Sequence, residues 1–259
     1  MITARKIGLL LILTSLAAPA LSSVVRAQPS PSRALEDQAY QDCLALMRRN
    51  PEEGFAQAQT WQATGGGLPA AHCAALSLVE MKHYGDAADR LEKLLPMAEK
   101  QAPHLSVALL DQAANAWILA DQPQRAVQLL TIALKVVPDT PDLLIDRAMA
   151  HAAMQDYTSA RSDLDRALGI APMREDAMAL RAAARRQTGD TAGAMQDAEA
   201  ALTIEPRMPE ALLERGILRS LAGDKRGARA DLIQVRLLAP DTAAAVTAGQ
   251  YIEQIDVKQ

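Results

Sequence analysis

From residue 107 onward, the small and apolar positions of the chain return every 34 residues. Prolines stand at 138, 172, 206 and 240. Five residues before them fall Ala133, Ala167 and Ala201, with Val235 in the last unit. Twelve before fall Ala126, Ala160, Ala194 and Ala228, and twenty-four before fall Ala114, Ala148, Ala182 and Gly216. Three aligned columns of small residues mark three places where two helices meet too closely for a larger side chain. A period of this length is the mark of a repeat array. The spacing predicts two helices per unit and one further helix over Ala243 to Ile255. That last helix would cover the open apolar end with a polar outer side of Gln250, Glu253, Gln254 and Lys258.

The breaks between helices have a local cause. Gln155-Asp156, Gly189-Asp190 and Gly223-Asp224 sit between the two halves of their units. Glycine takes the left-handed conformation that ends a helix, and aspartate caps the next one. Asp139 to Pro141 interrupts the chain between units, because proline has no amide donor and restrains the residue before it. Gly65-Gly66-Gly67 is a similar break; with no Gly-Lys-Ser/Thr after it, it is a helix connector and not a phosphate loop.

These features resemble the tetratricopeptide repeat, a helix-turn-helix unit of 34 residues. The unit from Val107 shows Leu110, Ala114, Trp117, Ala126, Leu130 and Pro138 in the pattern. The unit from Pro141 adds Leu144, Ala148, His151, Tyr157, Ala160, Leu164, Ala167 and Pro172. The likeness covers 107–240 as units 107–140, 141–174, 175–208 and 209–240, followed by a capping helix within 241–259. A looser unit spans 68–106, with Tyr84, Ala87 and Leu91 in place and a longer second helix; 34–67 reads as a degenerate helical pair. The sequence departs from the family at Arg185 and Arg219, where an aromatic is usual, and at Ala198, where a large apolar residue is usual, so thinner packing is expected there. The resemblance implies an all-α, right-handed α-solenoid of antiparallel helix pairs, about twelve or thirteen helices in all, with a concave inner face.

Composition agrees with that class. The chain is 49% hydrophobic but only 3% aromatic, which suits alanine-rich helix contacts better than a β-sandwich or barrel. At the start, Arg5 and Lys6 precede an apolar run from Ile7 to Leu16 that is too short for a membrane span. This reads as a signal peptide over 1–27, cut after Ala27 or alternatively after Ala20, with 28–33 as an extended mature terminus and an uncleaved anchor as the other reading. The formal charge is −4. Residues 1–27 carry three cations and no acid, so the mature chain stands at −7. An acidic chain with few aromatics is a poor partner for nucleic acid or an anionic membrane surface. The expected location is periplasmic or secreted, with no stable membrane span after cleavage.

Charge also repeats. Arg147, Arg181 and Arg215 recur at the 34-residue step, as do Asp163, Asp197 and Asp231, each Asp 16 residues after its Arg. The unit before them has Ala113 and Leu129 at those places, so both charges come and go together. An ion pair between the two helices of each unit is predicted. Cys43 and Cys73 are the only cysteines. In an oxidising compartment they are candidates for a disulfide between the first helices of neighbouring units, two buried thiols being the alternative.

No catalytic motif, dinucleotide fingerprint or metal-ligand spacing is present, so no catalytic residue, cofactor or metal ligand is assigned. The family resemblance places the binding face on the first helix of each unit. Here that face includes Asp111, Gln112 and Asn115; Asp142, Ile145, Asp146 and Met149; Asp176, Ala179, Ala183, Arg186 and Gln187; and Glu210, Leu213, Glu214 and Ile217. Asp142, Asp176 and Glu210 form an acidic column, explained as well by their place near helix N-termini as by binding. Ile145, Met149, Leu213 and Ile217 would supply apolar patches. A carboxylate clamp of the chaperone-binding type is excluded, since only Asn115 fits it and its lysines are missing. The expected function is a non-enzymatic periplasmic scaffold or adaptor holding a protein or peptide partner with a basic segment. The alternative is a permanent structural or accessory subunit of an envelope complex, or a homodimer.

Overall fold

The computed structural model describes residues 31–257, with side chains from Gln38 onward. The expected signal segment lies outside the described residues. The helices are α1 (Pro31–Arg49), α2 (Pro51–Ala63), α3 (Gly67–Glu80), α4 (Tyr84–Gln101), α5 (Ser106–Leu119), α6 (Pro123–Val136) and α7 (Pro141–Ala153). They continue as α8 (Tyr157–Ile170), α9 (Glu175–Gln187), α10 (Thr191–Ile204), α11 (Pro209–Leu221), α12 (Lys225–Leu238) and α13 (Ala243–Val257). No strand occurs among the described residues. No helix among them is long and apolar enough to cross a membrane. Helix α1 is described from Pro31 onward, so the described residues already include helix within the segment 28–33 that was expected to be extended.

Every helix packs on the next, and first helices also pack on first helices: α1 on α3, α5 on α7, α7 on α9, α9 on α11 and α11 on α13. The second helices make no comparable contacts with one another. The first helices are therefore the tighter inner layer of a curved α-solenoid. The small columns sit at these seams: Ala114, Ala126, Ala133, Ala182, Ala194, Ala201 and Ala228 are fully buried. The turns follow the expected chemistry. Asp156, Asp190 and Asp224 accept the backbone N–H of Ser159, Gly193 and Gly227 at 3.1, 3.0 and 2.9 Å. The preceding residues Gln155, Gly189 and Gly223 all have positive φ.

The apolar core is not continuous. One cluster runs from Leu68 to Ala184, and a second gathers Ala179, Ala201, Leu212, Leu232 and Ile252. The division falls around α9 and α10, where Ala198 replaces a larger residue and polar side chains fill the space. A third cluster, Cys43, Ala58, Cys73 and Ala74, joins α1, α2 and α3. Within it Cys43 and Cys73 form a disulfide, with Cα atoms 6.4 Å apart.

Candidate protein-binding face

The polar side chains of the solenoid divide into two systems. The first lies between the helices of each unit. Arg147 Nε and Nη2 donate to both oxygens of Asp163 at 2.8 and 2.7 Å. Arg181 meets Asp197, and Arg215 meets Asp231, in the same two-point geometry at 2.8 Å. The three aspartates are 4–5% exposed. Each pairing holds its arginine more firmly protonated, the hydrogen bonds to aspartate outweighing burial. Arg185 and Arg219 join the same cluster: their Nη1 atoms reach Asp197 and Asp231 at 2.9 and 2.8 Å. The two residues that break the aromatic column thus make Arg–Asp–Arg triads in the last two units. In the unit before, His151 occupies that column, with Nε2 4.0 Å from Asp163. In the unit before that it is Trp117, whose indole donates to Glu92 while Arg125 stacks on its ring.

The second system runs along the inner layer from helix to helix. Tyr40 Oη lies 2.6 Å from His72 Nδ1, and His72 Nε2 lies 2.7 Å from Gln112 Oε1. The amide oxygen of Gln112 can only accept, so His72 carries its proton on Nε2 and Tyr40 donates to Nδ1. Burial keeps His72 below the usual histidine range and pushes Tyr40 up. Next along the face, Asn115 Nδ2 donates to Asp146 Oδ2 at 3.1 Å and to Asp111 Oδ1 at 3.4 Å, spanning α5 and α7. The Asp111 carboxyl is pushed up to about 7, first by burial and then by Asp146 and Asp142. Among the described residues no cation pairs with Asp111 or Asp146.

Beyond α7 the charges are compensated. Arg174, in the loop before α9, bonds Asp142 at 2.6 Å and both oxygens of Asp176 at 2.9 and 2.7 Å. Its hydrogen bonds hold the Asp176 carboxyl below the usual range. Arg186 donates to Glu214 at 2.6 and 3.2 Å, linking α9 to α11. Burial works most strongly against the Arg186 charge, and the Glu214 bonds together with the charges of Glu214, Tyr251 and Tyr157 offset it.

Several expected face residues are placed differently. Ile145 and Ile217 are 4% and 2% exposed and belong to the interior, Ile145 in the main core and Ile217 on α11, against which α13 packs. Glu214 is 6% exposed and spoken for by Arg186, so it is not an open groove acid. Ala179 is buried and Leu213 is half-buried against the second cluster. The acidic column is neutralised at Asp142 and Asp176 by Arg174, while Glu210 and Gln187 remain exposed. Met149 stays on the surface at 39% exposure. Asp111, Asn115 and Asp146 are brought together as one half-buried cluster, while the neighbouring Gln112 pairs with His72. Sequence reasoning missed Arg174, because the equivalent positions Thr140 and Met208 are not basic. It also missed the Tyr40–His72 link. His72 had one available signal, as the polar residue within the apolar stretch 68–76 of α3.

No family model and no curated protein matches the sequence. Solved structures do match in shape. The chain is similar to PilF of Pseudomonas aeruginosa, with a TM-score of 0.68 at 13% identity, covering 89% of this chain and 100% of that one. It is similar to a tetratricopeptide repeat protein of Parabacteroides merdae, at 0.66 and 14%, covering 85% and 84%. YrrB, described as a TPR protein with an unusual peptide-binding site, aligns at 0.51 and 15%, covering 74% and 96%. The 34-residue grammar, the two-layer solenoid and these likenesses agree: the chain has the tetratricopeptide-repeat fold.

Proposed function

We propose that this protein is an exported, non-enzymatic adaptor that holds a basic segment of a partner protein against the inner layer of its central repeats. The observation that carries the reading is the Asp111–Asn115–Asp146 cluster. It is a half-buried pair of carboxyl groups spanning two repeats and lacking a cation among the described residues, whereas Asp142, Asp176 and Glu214 of the same face are matched by arginine and Glu210 is exposed to solvent. A lysine or arginine from a partner would supply the missing charge, with exposed Met149 beside it for apolar contact. Peptide binding by a protein of this shape has a precedent in the description of YrrB. Export is supported by the Cys43–Cys73 disulfide, since such bonds persist in oxidising compartments, and by the signal-like start of the sequence.

The test is retention of a discrete partner from an envelope extract by the immobilised mature chain. The adaptor reading expects a partner identified by mass spectrometry, eluted by moderate salt, and lost with Asp146→Lys. Retention that survives both salt and the substitution would instead favour a permanent subunit using another face.

A further inference from the structure

Buried carboxylates in this fold normally meet an arginine. Asp163, Asp197 and Asp231 are almost fully buried, and each receives two guanidinium bonds. Asp111 and Asp146 are the exception, half-buried carboxyls facing each other across the α5–α7 seam with one amide, Asn115, between them. Asn115 offers one N–H to each carboxyl. A proton held between the two carboxyls would complete the set, and none of the neighbouring elements offers a substitute. Helix α7 presents Asp146 and, one turn earlier, Asp142, which adds repulsion. Helix α3 presents His72, whose charged form burial disfavours and whose Nε2 is engaged with Gln112. Helices α4 and α6 direct Glu92, Asp89 and Arg125 at Trp117 and at each other. Arg174 before α9 is committed to Asp142 and Asp176.

We propose that the Asp111–Asn115–Asp146 cluster is a proton-operated latch between the α5–α6 and α7–α8 repeats. With one proton shared it ties the two inner helices together, and without that proton it becomes a repulsion at the same seam. As regulation of the binding face, the latch rests on the adaptor reading; as a property of the fold, it does not. The geometry is matched by energetics. The Asp111 carboxyl stands at about 7, against an ordinary value of 3.8, so the folded protein takes up this proton at a higher pH than the unfolded chain. Stability from the seam therefore rises as pH falls from above 7 toward 4, and the repulsive cost is complete above 7. The same proton sets the charge offered to a basic partner: the cluster is more negative, and its repeats less tightly joined, on the alkaline side.

The experiment compares the full mature chain with Asp111→Asn between pH 5.5 and 8.5 by thermal unfolding. Carboxyl carbon NMR follows Asp111 in the wild type and in Asp146→Asn. The wild type should lose several degrees of Tm toward pH 8.5 that Asp111→Asn does not lose, and the two should converge at pH 5.5. Histidine titration is common to both and cancels in the difference. Asp111 should titrate near neutrality, and nearer the ordinary aspartate value once Asp146 is replaced. Parallel Tm–pH curves, or an Asp111 carboxyl already titrating near its ordinary value in the wild type, would overturn the latch. No partner enters either measurement. The latch can therefore fail while partner retention stands, and partner retention can fail while the latch stands.

Discussion

Replacing Arg147 by leucine isolates what one interhelical arginine does, because the three related pairs are not equally insured. Asp163 is 4% exposed and receives both its strong bonds from Arg147; the next cation-capable group, His151 Nε2, is 4.0 Å away. Asp197 would keep Arg185 at 2.9 Å after Arg181→Leu, and Asp231 would keep Arg219 at 2.8 Å after Arg215→Leu. Breaking a buried pair and stranding its charge costs about 3–5 kcal/mol. The arginines here are 17–22% exposed in their side chains, which puts Arg147→Leu near the low end, at about 3 kcal/mol. The insured sites should lose roughly half of that, the value of one charge-assisted bond pair. For a chain of this size that corresponds to a fall of about 6–12 °C in Tm for Arg147→Leu and about 3–6 °C for the other two. Differential scanning calorimetry of the three variants in one buffer gives the comparison. Hydrogen exchange shows whether the α7–α8 unit loosens first, as nearest-neighbour stability in a repeat array requires. Adding Asp163→Leu to Arg147→Leu should recover most of the loss, because the uncompensated charge goes with it. Equal losses at all three sites would refute the reasoning, and so would a double variant no better than the single one.

Three further outcomes can be checked on the same material. Reducing the Cys43–Cys73 bond, or replacing both cysteines by serine, should destabilise the N-terminal units by about 3–4 kcal/mol, from the 30-residue separation in the chain-entropy model. Limited proteolysis should then open α1 and α2 while α7–α13 stay protected. Gln155→Gly should raise stability by about 0.5–1 kcal/mol in urea unfolding, since Gln155 holds φ 61° where the next two units use glycine. Gly216→Ala should cost about 1–3 kcal/mol in the same assay, although three other units carry alanine there: the added Cβ would stand 2.9 Å from Leu232 Cγ, and Leu232 is fully buried.

Much of the fold could be read before any coordinates, for a physical reason. A 34-residue unit cannot bury its apolar face alone, so each copy must present the same small residues to its neighbours, and the same constraint is written several times over. The Arg–Asp pairs were legible in the same way: Ala113 and Leu129 lack both charges together, which is a covariation within one chain. What the period could not express was the exceptions. Arg185 and Arg219 looked like losses from an aromatic column. They are gains in an ionic one, because a guanidinium in that slot reaches the aspartate already placed there.

The inner face was only half legible because alignment says which way a Cα points, not what arrives from the next repeat to cover it. Glu214 illustrates the step that was missing. Its partner Arg186 lies 28 residues earlier, on the preceding first helix. Applying that offset to Asp146 leads to Ile118, which is apolar, and applying it to Leu180 leads to Ala152. The cross-repeat arginine is therefore present for one inner acid and absent for the other. Loop residues act likewise: Arg174 neutralises Asp142 and Asp176, while its counterparts Thr140 and Met208 carry no charge. The uncompensated negative charge of the inner layer is thus set by which inter-repeat positions lack a cation: it falls on the exposed Glu210 at the start of α11 and, in half-buried form, on the seam between α5 and α7. Introducing Arg at position 118 would give Asp146 the partner that Glu214 has. It should abolish the neutral-range titration of Asp111 and, on the adaptor reading, weaken retention of a basic partner, both without disturbing the Arg186–Glu214 pair.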